Sequence, residues 1–550
     1  MAQQEYVKAA GEFRGTPQST PLPGREREMV RNAAGGFTFE VDQWQRLRRF
    51  LILGSDGGTY YVSPRRLTMQ NAANVADCIK ADGERVVREV VAVSTQARAP
   101  RQDPALFTLA LALSPEAGAD LRTRRAAAKA WPLVVRTGGH LMTAISYMKA
   151  ARGTGRLARK VLQEWYLGKS AEDLAYQVMK YRSRAGWTHR DVLRIAHCAP
   201  PDGPTGAVLE FAVKGTVNES APALLHGFDA LRNATSPQEA ARLIAQYGLP
   251  REAVPTEFLA APQVWEALLY SGGKAGMPMQ ALLRNLGKMT AVGLIGPGSN
   301  AARYVAERLR DASYWSRDWE TSTSKPPHPI AVLIALRVYQ AGQGARGSLA
   351  WEPVAPVLDA LDEAFYSSFG SVTPTGRKFL LALDVSGSMH WTQCAGTPVL
   401  SAREASAAMA LLIARTEAEA PIIMGFSDEF IPLNISPRQR LDDALKAISD
   451  LPFGATDCSL PMRWAMKQEI ADVDTFVVFT DNGTWAGEVH PVQALRRYRE
   501  KYNGGARLAV AALSGTGNSI ADPQDAGMMD MVGIDAAMPR ILAAFARGEV

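Results

Sequence analysis

Cysteine is scarce: the 550 residues hold four, at positions 78, 198, 394 and 458. They show neither the C-x-x-C spacing of a zinc site nor the density of a disulfide scaffold, so free thiols are expected, with the cytoplasm as the default location. No window of about 18 uninterrupted apolar residues occurs, and the opening M-A-Q-Q-E-Y-V-K lacks the basic-then-apolar pattern of a secretory signal. A membrane-spanning helix is not expected. Charge of either sign is moderate, at 21% charged residues against 47% hydrophobic ones, the proportions of an ordinary soluble chain. The length exceeds what one core supports, so roughly two to four domains or a repeat array are expected.

The net charge of +6 is unevenly placed. Residues 121 to 197 hold 16 Lys/Arg against 4 Asp/Glu, which leaves 45 basic and 51 acidic residues elsewhere. A basic segment on a mildly acidic body points to a polyanion, nucleic acid above all. The plainer alternative is a solvated helix face.

Residues 1 to 30, with T-P-Q-S-T-P-L-P-G, read as a mobile tail. From 31 to 369 apolar residues recur at helical spacing, as in Val264, Trp265, Leu268 and Leu269, and breaks such as D-P (103) and S-P (236) come at the intervals of helix pairs. No long alternating strand pattern appears there, and a helical solenoid follows, because pairs that each expose an apolar face must stack. The repeat period is too irregular to count units. After P-T-G-R-K the texture changes. Apolar runs F-L-L-A-L (379), P-I-I-M-G-F (421), T-F-V-V-F (475) and R-L-A-V-A-A-L (507) alternate with helical stretches at 401–417, 437–449, 460–470 and 491–502. This predicts a doubly wound α/β domain over 370–550, with a parallel sheet and right-handed crossovers.

The first run drives into D-V-S-G-S, which places Asp384, Ser386 and Ser388 at the carboxyl end of a strand, where α/β sheets hold ligands. Thr456, in F-G-A-T-D-C, and Asp481, after T-F-V-V-F-T, fall on matching loops. These are hard oxygen donors with no His or Cys among them, a set that suits Mg²⁺ or a similar divalent ion. An aspartate-based phosphoryl-transfer enzyme would carry a second Asp at 386, and the one general-base candidate near the loop is His390. Binding is the better reading, and no catalytic residue is assigned. V-G-L-I-G-P-G-S-N-A-A-R (292–303) imitates a dinucleotide fingerprint without the second strand it requires. G-S-D-G-G-T-Y-Y (54–61) lacks the Lys-Ser/Thr of a phosphate loop.

The order D-x-S-x-S, Thr, Asp resembles the metal-ion-dependent adhesion site of von Willebrand factor A domains. The resemblance implies that Ser386 and Ser388 bind the ion directly, Thr456 directly or through water, and Asp384 and Asp481 largely through water. A sixth position is left for a carboxylate on a protein partner.

The densest basic stretch is K-Y-R-S-R-A-G-W-T-H-R-D-V-L-R-I-A-H, 180 to 197. A helix opened by Thr188 or Asp191 sets Arg190, Arg194 and His197 at i, i+4 and i+7 on one face. Lys180 and Arg184 have the i, i+4 relation on the helix before it. Such groups suit phosphates, with Tyr181 or Trp187 to pack or stack, core packing being the plainer role for Trp187. This stretch, with N-A-A-G-G-F (32–37), R-T-G-G-H-L (136–141), M-P-M-Q-A-L-L-R-N-L-G-K-M-T (277–290), G-A-R-G-S-L-A-W (344–351) and the metal motif, resembles the Ro autoantigen family over nearly the whole chain from Arg31.

The resemblance implies a TROVE module, a ring of HEAT-like helical repeats, followed by a von Willebrand A domain. It implies a non-catalytic, monomeric RNA-binding scaffold for small noncoding Y RNA on the outer ring surface. Single-stranded 3′ ends of misfolded noncoding RNA would enter the central hole, and a 3′ exoribonuclease of the polynucleotide phosphorylase type would act with it in RNA quality control. Carried over position by position, the Y RNA contacts are Lys180, Arg184 and His197. Arg136, Arg152, Arg156, Arg159 and Lys160 join them by charge and proximity alone. A metal-dependent adhesion module with the helical region as a spacer is the alternative from another class. The departure from the family pattern at H-W-T-Q-C-A-G-T-P-V-L (390–400) leaves the partner at the metal site open.

Overall fold

The computed structural model describes residues 20, 29–31, 37–39, 43–54, 59–61, 67, 73–95, 99, 101–151, 155–271, 276–316, 326–344, 347–395, 397–426, 430–449, 457–480, 489–513, 521–522 and 525–550. Two compact units result, one of residues 67–311 and 338–363, the other of 1–66, 312–337 and 364–550. Most of the expected tail, Arg152, Thr456 and Asp481 lie outside the described residues.

The first unit is helical, and its helices pack on neighbours one to three places along the chain, the pattern of stacked pairs. Local chemistry sets their limits. Helix Pro237–Tyr247 opens on Ser236, whose side chain accepts the Glu239 N–H, carries proline at its first position, and stops at Gly248 in the left-handed region. Buried Trp131, Trp265 and Phe228 fill the layers between helices.

The second unit is built on a seven-stranded sheet in the order Phe430–Pro432, Ile422–Phe426, Phe379–Asp384, Thr475–Thr480, Arg507–Ala512, Met528–Val532, Thr59–Tyr61. All four strands expected from apolar runs are present and mutually parallel. Phe379–Asp384 and Thr475–Thr480 are buried at every residue, as strands covered on both faces must be. Leu380, Ala382, Phe476 and Val478 share one core with Tyr498 and Leu495 of helix Pro491–Lys501. Helix Ala402–Thr416 packs against the same two strands, and twelve of its residues are buried.

The structure departs from the sequence reading in two ways. Strand Phe430–Pro432 runs antiparallel on one edge, so the sheet is mixed. On the other edge Thr59–Tyr61 lies parallel to Met528–Val532, although the helical pattern was expected to be free of strands. Three residues are too few to show an alternating period. Residues 1–66 and 312–337 group with 364–550, whereas the sequence reading divided the chain into a tail at 1–30, a helical region at 31–369 and a sheet domain at 370–550.

Helix Met279–Ala291 contains Gly287, where an added Cβ would meet the Trp351 ring at 2.6 Å. That indole donates to the Tyr339 carbonyl at 3.0 Å and stacks on the Tyr339 ring. Helix propensity alone favours alanine by about 1 kcal/mol. Here the clash outweighs it, so Gly287→Ala is expected to lower stability by about 1–3 kcal/mol, read as a lower midpoint in urea. An unchanged or raised midpoint would contradict this packing.

Candidate nucleic-acid interface and metal centre

Thr188 caps helix His189–Ala196 by accepting the Asp191 N–H, and Asp191 returns the bond to the Thr188 N–H at 3.0 Å. The capping box fixes where the helix starts, so Arg190 and Arg194 stand exposed one turn apart. His197 closes the helix with φ 49°, in the left-handed region. The expected face is therefore present, with His197 as its cap rather than its last turn.

Arg184 is placed differently from the sequence reading. The preceding helix ends at Lys180, and Arg184 sits on a two-residue ribbon, Ser183–Arg184 paired with Trp187–Thr188. The turn between them uses Ala185 and Gly186 at φ 51° and 79°, as a tight hairpin requires at both central positions. Ala-Gly is not the usual signal for that turn, and helical spacing hid it. Trp187 is half-buried on this ribbon rather than part of the core.

Beneath the surface His189 is 3% exposed. Its Nδ1 pairs with the Tyr166 hydroxyl at 2.8 Å, and its ring stacks on Trp165. Burial holds its pKa down to about 4, so the imidazole packs as a neutral ring. Gln163 of helix Arg156–Leu167 donates to the carbonyls of Ala196 and His197 at 2.8 and 3.3 Å. This ties the helix that displays Arg156, Arg159 and Lys160 to the end of the helix that displays Arg190 and Arg194. Lys160 has Glu164 at 3.7 Å. No carboxylate among the described residues lies within ion-pair distance of Arg156, Arg159, Arg184, Arg190 or Arg194, all exposed.

Lys180 is half-buried, and its ammonium donates to the Tyr176 hydroxyl at 3.0 Å. Burial works against its charge, but Tyr176 and then Glu252 outweigh it, and its pKa lies above the ordinary lysine value. Arg136 donates to the carbonyls of Leu133 and Ser94, so part of its donor capacity serves two helix ends. His140, unmarked in the sequence reading, has its pKa lowered by burial, then by Arg136, and also by Arg184. It thus lies in the field of two flagged cations that are 48 positions apart in the chain. Only the fold brings these together.

In the sheet unit Asp384 is 1% exposed. Its Oδ1 accepts the Ser386 N–H at 2.9 Å and its Oδ2 the Thr480 hydroxyl at 2.9 Å. Arg403, near the start of helix Ala402–Thr416, donates to the Ser386 carbonyl at 3.2 Å. Burial lowers the pKa of that guanidinium while Asp384 opposes the shift. The Ser386 and Ser388 hydroxyls lie 3.0 Å apart. Adjacent ligands of an octahedral Mg²⁺, with bonds of about 2.0–2.1 Å, stand about 3 Å apart, so the pair is spaced as two such ligands would be. With both Asp384 oxygens already accepting one bond, contact through water suits that carboxylate. The residues fit the ion. Thr480 and Arg403 escaped the sequence reading, since a threonine inside an apolar run and an arginine on a distant helix carry no motif. Among the described residues no three His, Cys, Asp or Glu converge on one point.

A helical-repeat unit joined to a von Willebrand A domain with an adhesion-type motif is the class these features define. The TROVE domain model matches residues 30–222 and 242–317, and the Ro60 vWA domain model matches 378–546. The RNA-binding protein RO60 of Deinococcus radiodurans is 43% identical over 97% of this chain and 98% of its own length. Its namesake in Caenorhabditis elegans is 34% identical over 99% and 94%. The crystal structure of the Deinococcus radiodurans Ro (RSR) protein superposes with a TM-score of 0.84 at 41% identity, covering 92% of this chain and all of that one. The chain belongs to the Ro60 family of RNA-binding proteins.

Unfolded, His189 titrates near 6.5; folded, near 4. The unfolded chain therefore takes up the proton first, and the stability from burying a neutral ring is complete above about pH 6.5 and lost as pH falls through 4. That loss is on the order of 3 kcal/mol. His328, held to about 3, acts in the same direction. The expected outcome is a thermal midpoint that falls from pH 6.5 to 4, less steeply in His189→Gln; equal slopes would contradict the buried neutral imidazole.

Proposed function

We propose that the protein is a non-catalytic scaffold that holds a small structured RNA of the Y RNA type on the basic surface between residues 136 and 197. The observation that carries this reading is the line of exposed arginines, Arg156, Arg159, Arg184, Arg190 and Arg194, with no carboxylate within ion-pair distance among the described residues. Guanidinium and ammonium groups at this density neutralise phosphates and release counterions, which supplies affinity without sequence readout. Specificity for a stem comes from A-form shape, whose deep major groove side chains do not read. Lys180, Arg184 and His197 are the contacts proposed, with Arg136, Arg156, Arg159 and Lys160 extending them and Arg152 flanking. Single-stranded 3′ ends of misfolded noncoding RNA, taken through a central hole, and a 3′ exoribonuclease partner complete the quality-control role. Free thiols suit a cytoplasmic setting.

Lys180→Ala and Arg184→Ala are each expected to weaken a Y RNA stem by about tenfold and to reduce the dependence of log affinity on log salt by about one ion. A stem-binding titration at several salt concentrations checks this; affinities unchanged at every salt would remove the surface from the mechanism.

The spacing of the Ser386 and Ser388 hydroxyls favours a second role, a divalent-ion centre at the strand ends. Ser386 and Ser388 would bind Mg²⁺ directly, Asp384 and Asp481 through water, and Thr456 by either route. The bound ion would offer a Lewis-acidic position to a carboxylate on a protein ligand. Mg²⁺ is expected to raise the thermal midpoint of the wild type and not of Asp384→Ala, because only a protein that binds the ion is stabilised by it. RNA affinity should be the same in both, and RNA should stay intact in Mg²⁺. Degradation that stops in Asp384→Ala would favour a nuclease instead.

A further inference from the structure

The helical unit stacks its helices in two rows. Ala73–Thr95, Leu121–Val134, Arg156–Leu167 and His189–Ala196 pack each on the next, while Asp103–Ala112, Gly138–Ala150 and Ala171–Lys180 form a second row against them. The faces that the first row turns away from the second therefore share one surface. Two helices of that row display Arg156, Arg159, Arg190 and Arg194. Between Ala73–Thr95 and Arg156–Leu167 lies Leu121–Val134, which holds four cations and no acid. None of the four entered the sequence reading as a contact.

The buried side of this helix is Thr123, Ala127, Ala130, Trp131 and Val134. Arg124 works inward, where its Nε donates to the Leu113 carbonyl at 3.2 Å and closes helix Asp103–Ala112. Arg122, Arg125 and Lys129 stand on the opposite face at i, i+3 and i+7, all exposed. Arg122 lies in the field of Asp120, whose carboxyl is held below its ordinary range by the Thr123 hydrogen bonds and, more weakly, by Arg122. Arg125 and Lys129 have no hydrogen bond, ion pair or ring contact among the described residues. The acids of the three cationic helices are engaged: Asp120 accepts the Thr123 N–H, Glu164 faces Lys160, and Asp191 closes its capping box. The Trp165 indole donates to the Val135 carbonyl at 2.7 Å, which ties helix Leu121–Val134 to Arg156–Leu167 as Gln163 ties the latter to His189–Ala196.

From Arg122 to Lys129 the cations cover about 10 Å along the helix, and helices packed in a row set the first and third axes roughly 16–20 Å apart. They occupy an area rather than a line. A single strand, running along the row or across it, leaves most of them without a phosphate. A duplex brings two backbones, which border the wide and shallow minor groove of A-form RNA. A membrane surface would need an apolar face to insert. Here that face is buried in the unit, and the exposed leucines, Leu121 at 55% and Leu133 at 49%, stand at opposite ends of the helix. We infer that helix Leu121–Val134 is the far edge of a duplex footprint, where Arg125 and Lys129 hold one backbone of an RNA stem whose other backbone lies on Arg190 and Arg194. This rests on the RNA-scaffold reading above and adds to it a third helix and the double-stranded form of what is held.

The test titrates the full-length protein with an RNA hairpin and with an unpaired RNA of equal phosphate count, at several salt concentrations. Arg125→Gln combined with Lys129→Gln should weaken the hairpin about tenfold or more and lower the slope of log affinity against log salt by about two ions, while the unpaired RNA changes little. Arg125→Lys combined with Lys129→Arg keeps both charges and should keep both values. Circular dichroism and thermal midpoints check that each variant folds; if the glutamine pair does not, photo-crosslinking of the hairpin to the wild type should reach residues 121–134. Lys180→Ala combined with Arg184→Ala separates this inference from the reading beneath it. A hairpin that responds to that pair but not to the glutamine pair overturns the inference alone, and a wild type that binds no hairpin removes both. Equal losses for hairpin and unpaired RNA, or no crosslink within 121–134, would also overturn it. Loss of binding to phosphatidylserine vesicles in place of the hairpin would assign the face to a membrane instead.

Discussion

An eight-residue helix does not hold its shape in water, and helix His189–Ala196 has no more than that. What it displays therefore depends on what lies under it. The His189 ring, bonded to the Tyr166 hydroxyl and stacked on Trp165, anchors its first turn, and Gln163 holds its last carbonyls. With both ends fixed from below, the outward residues carry no packing duty, and Arg190 and Arg194 keep their hydration. A cationic surface of this kind stays charged only if burial is assigned to other side chains, and here neutral aromatic rings take that part.

The strand end at Asp384 obeys the same constraint with the sign reversed. A carboxylate that is 1% exposed is costly unless hydrogen-bonded and balanced. Thr480 and the Ser386 amide supply the bonds, and Arg403 supplies the opposite charge nearby. The two serine hydroxyls are left at the surface end of this arrangement, side by side. The orientation of that carboxylate is thus set by the chain's own hydrogen bonds.

Much of this was legible in the residues. Apolar runs of five to seven bounded by turns located the four parallel strands, because strands covered on both faces cannot hide a polar alternation. The Thr188 cap and the exposed face behind it followed from three-residue and four-residue spacing. Other features were not legible. Strand Thr59–Tyr61 exists because the edge of Met528–Val532 offers it a partner, and Phe430–Pro432 likewise borrows its identity from Ile422–Phe426. Arg184 left the helix for a hairpin because Ala185 and Gly186 adopt positive φ, a cost for alanine that tertiary contacts offset.

The sequence by itself determined the two kinds of architecture, the basic stretch with its clustered arginines, and the order of oxygen donors at the strand ends. Each of these is written in local periodicity or in short spacing, which a chain carries before it folds. Only the tertiary structure decided that Thr480 and Arg403 serve Asp384, that His140 lies in the field of Arg136 and Arg184, and that helices Leu121–Val134, Arg156–Leu167 and His189–Ala196 stand in one row. Those pairings join residues up to 96 positions apart, and burial and charge act through space rather than along the chain.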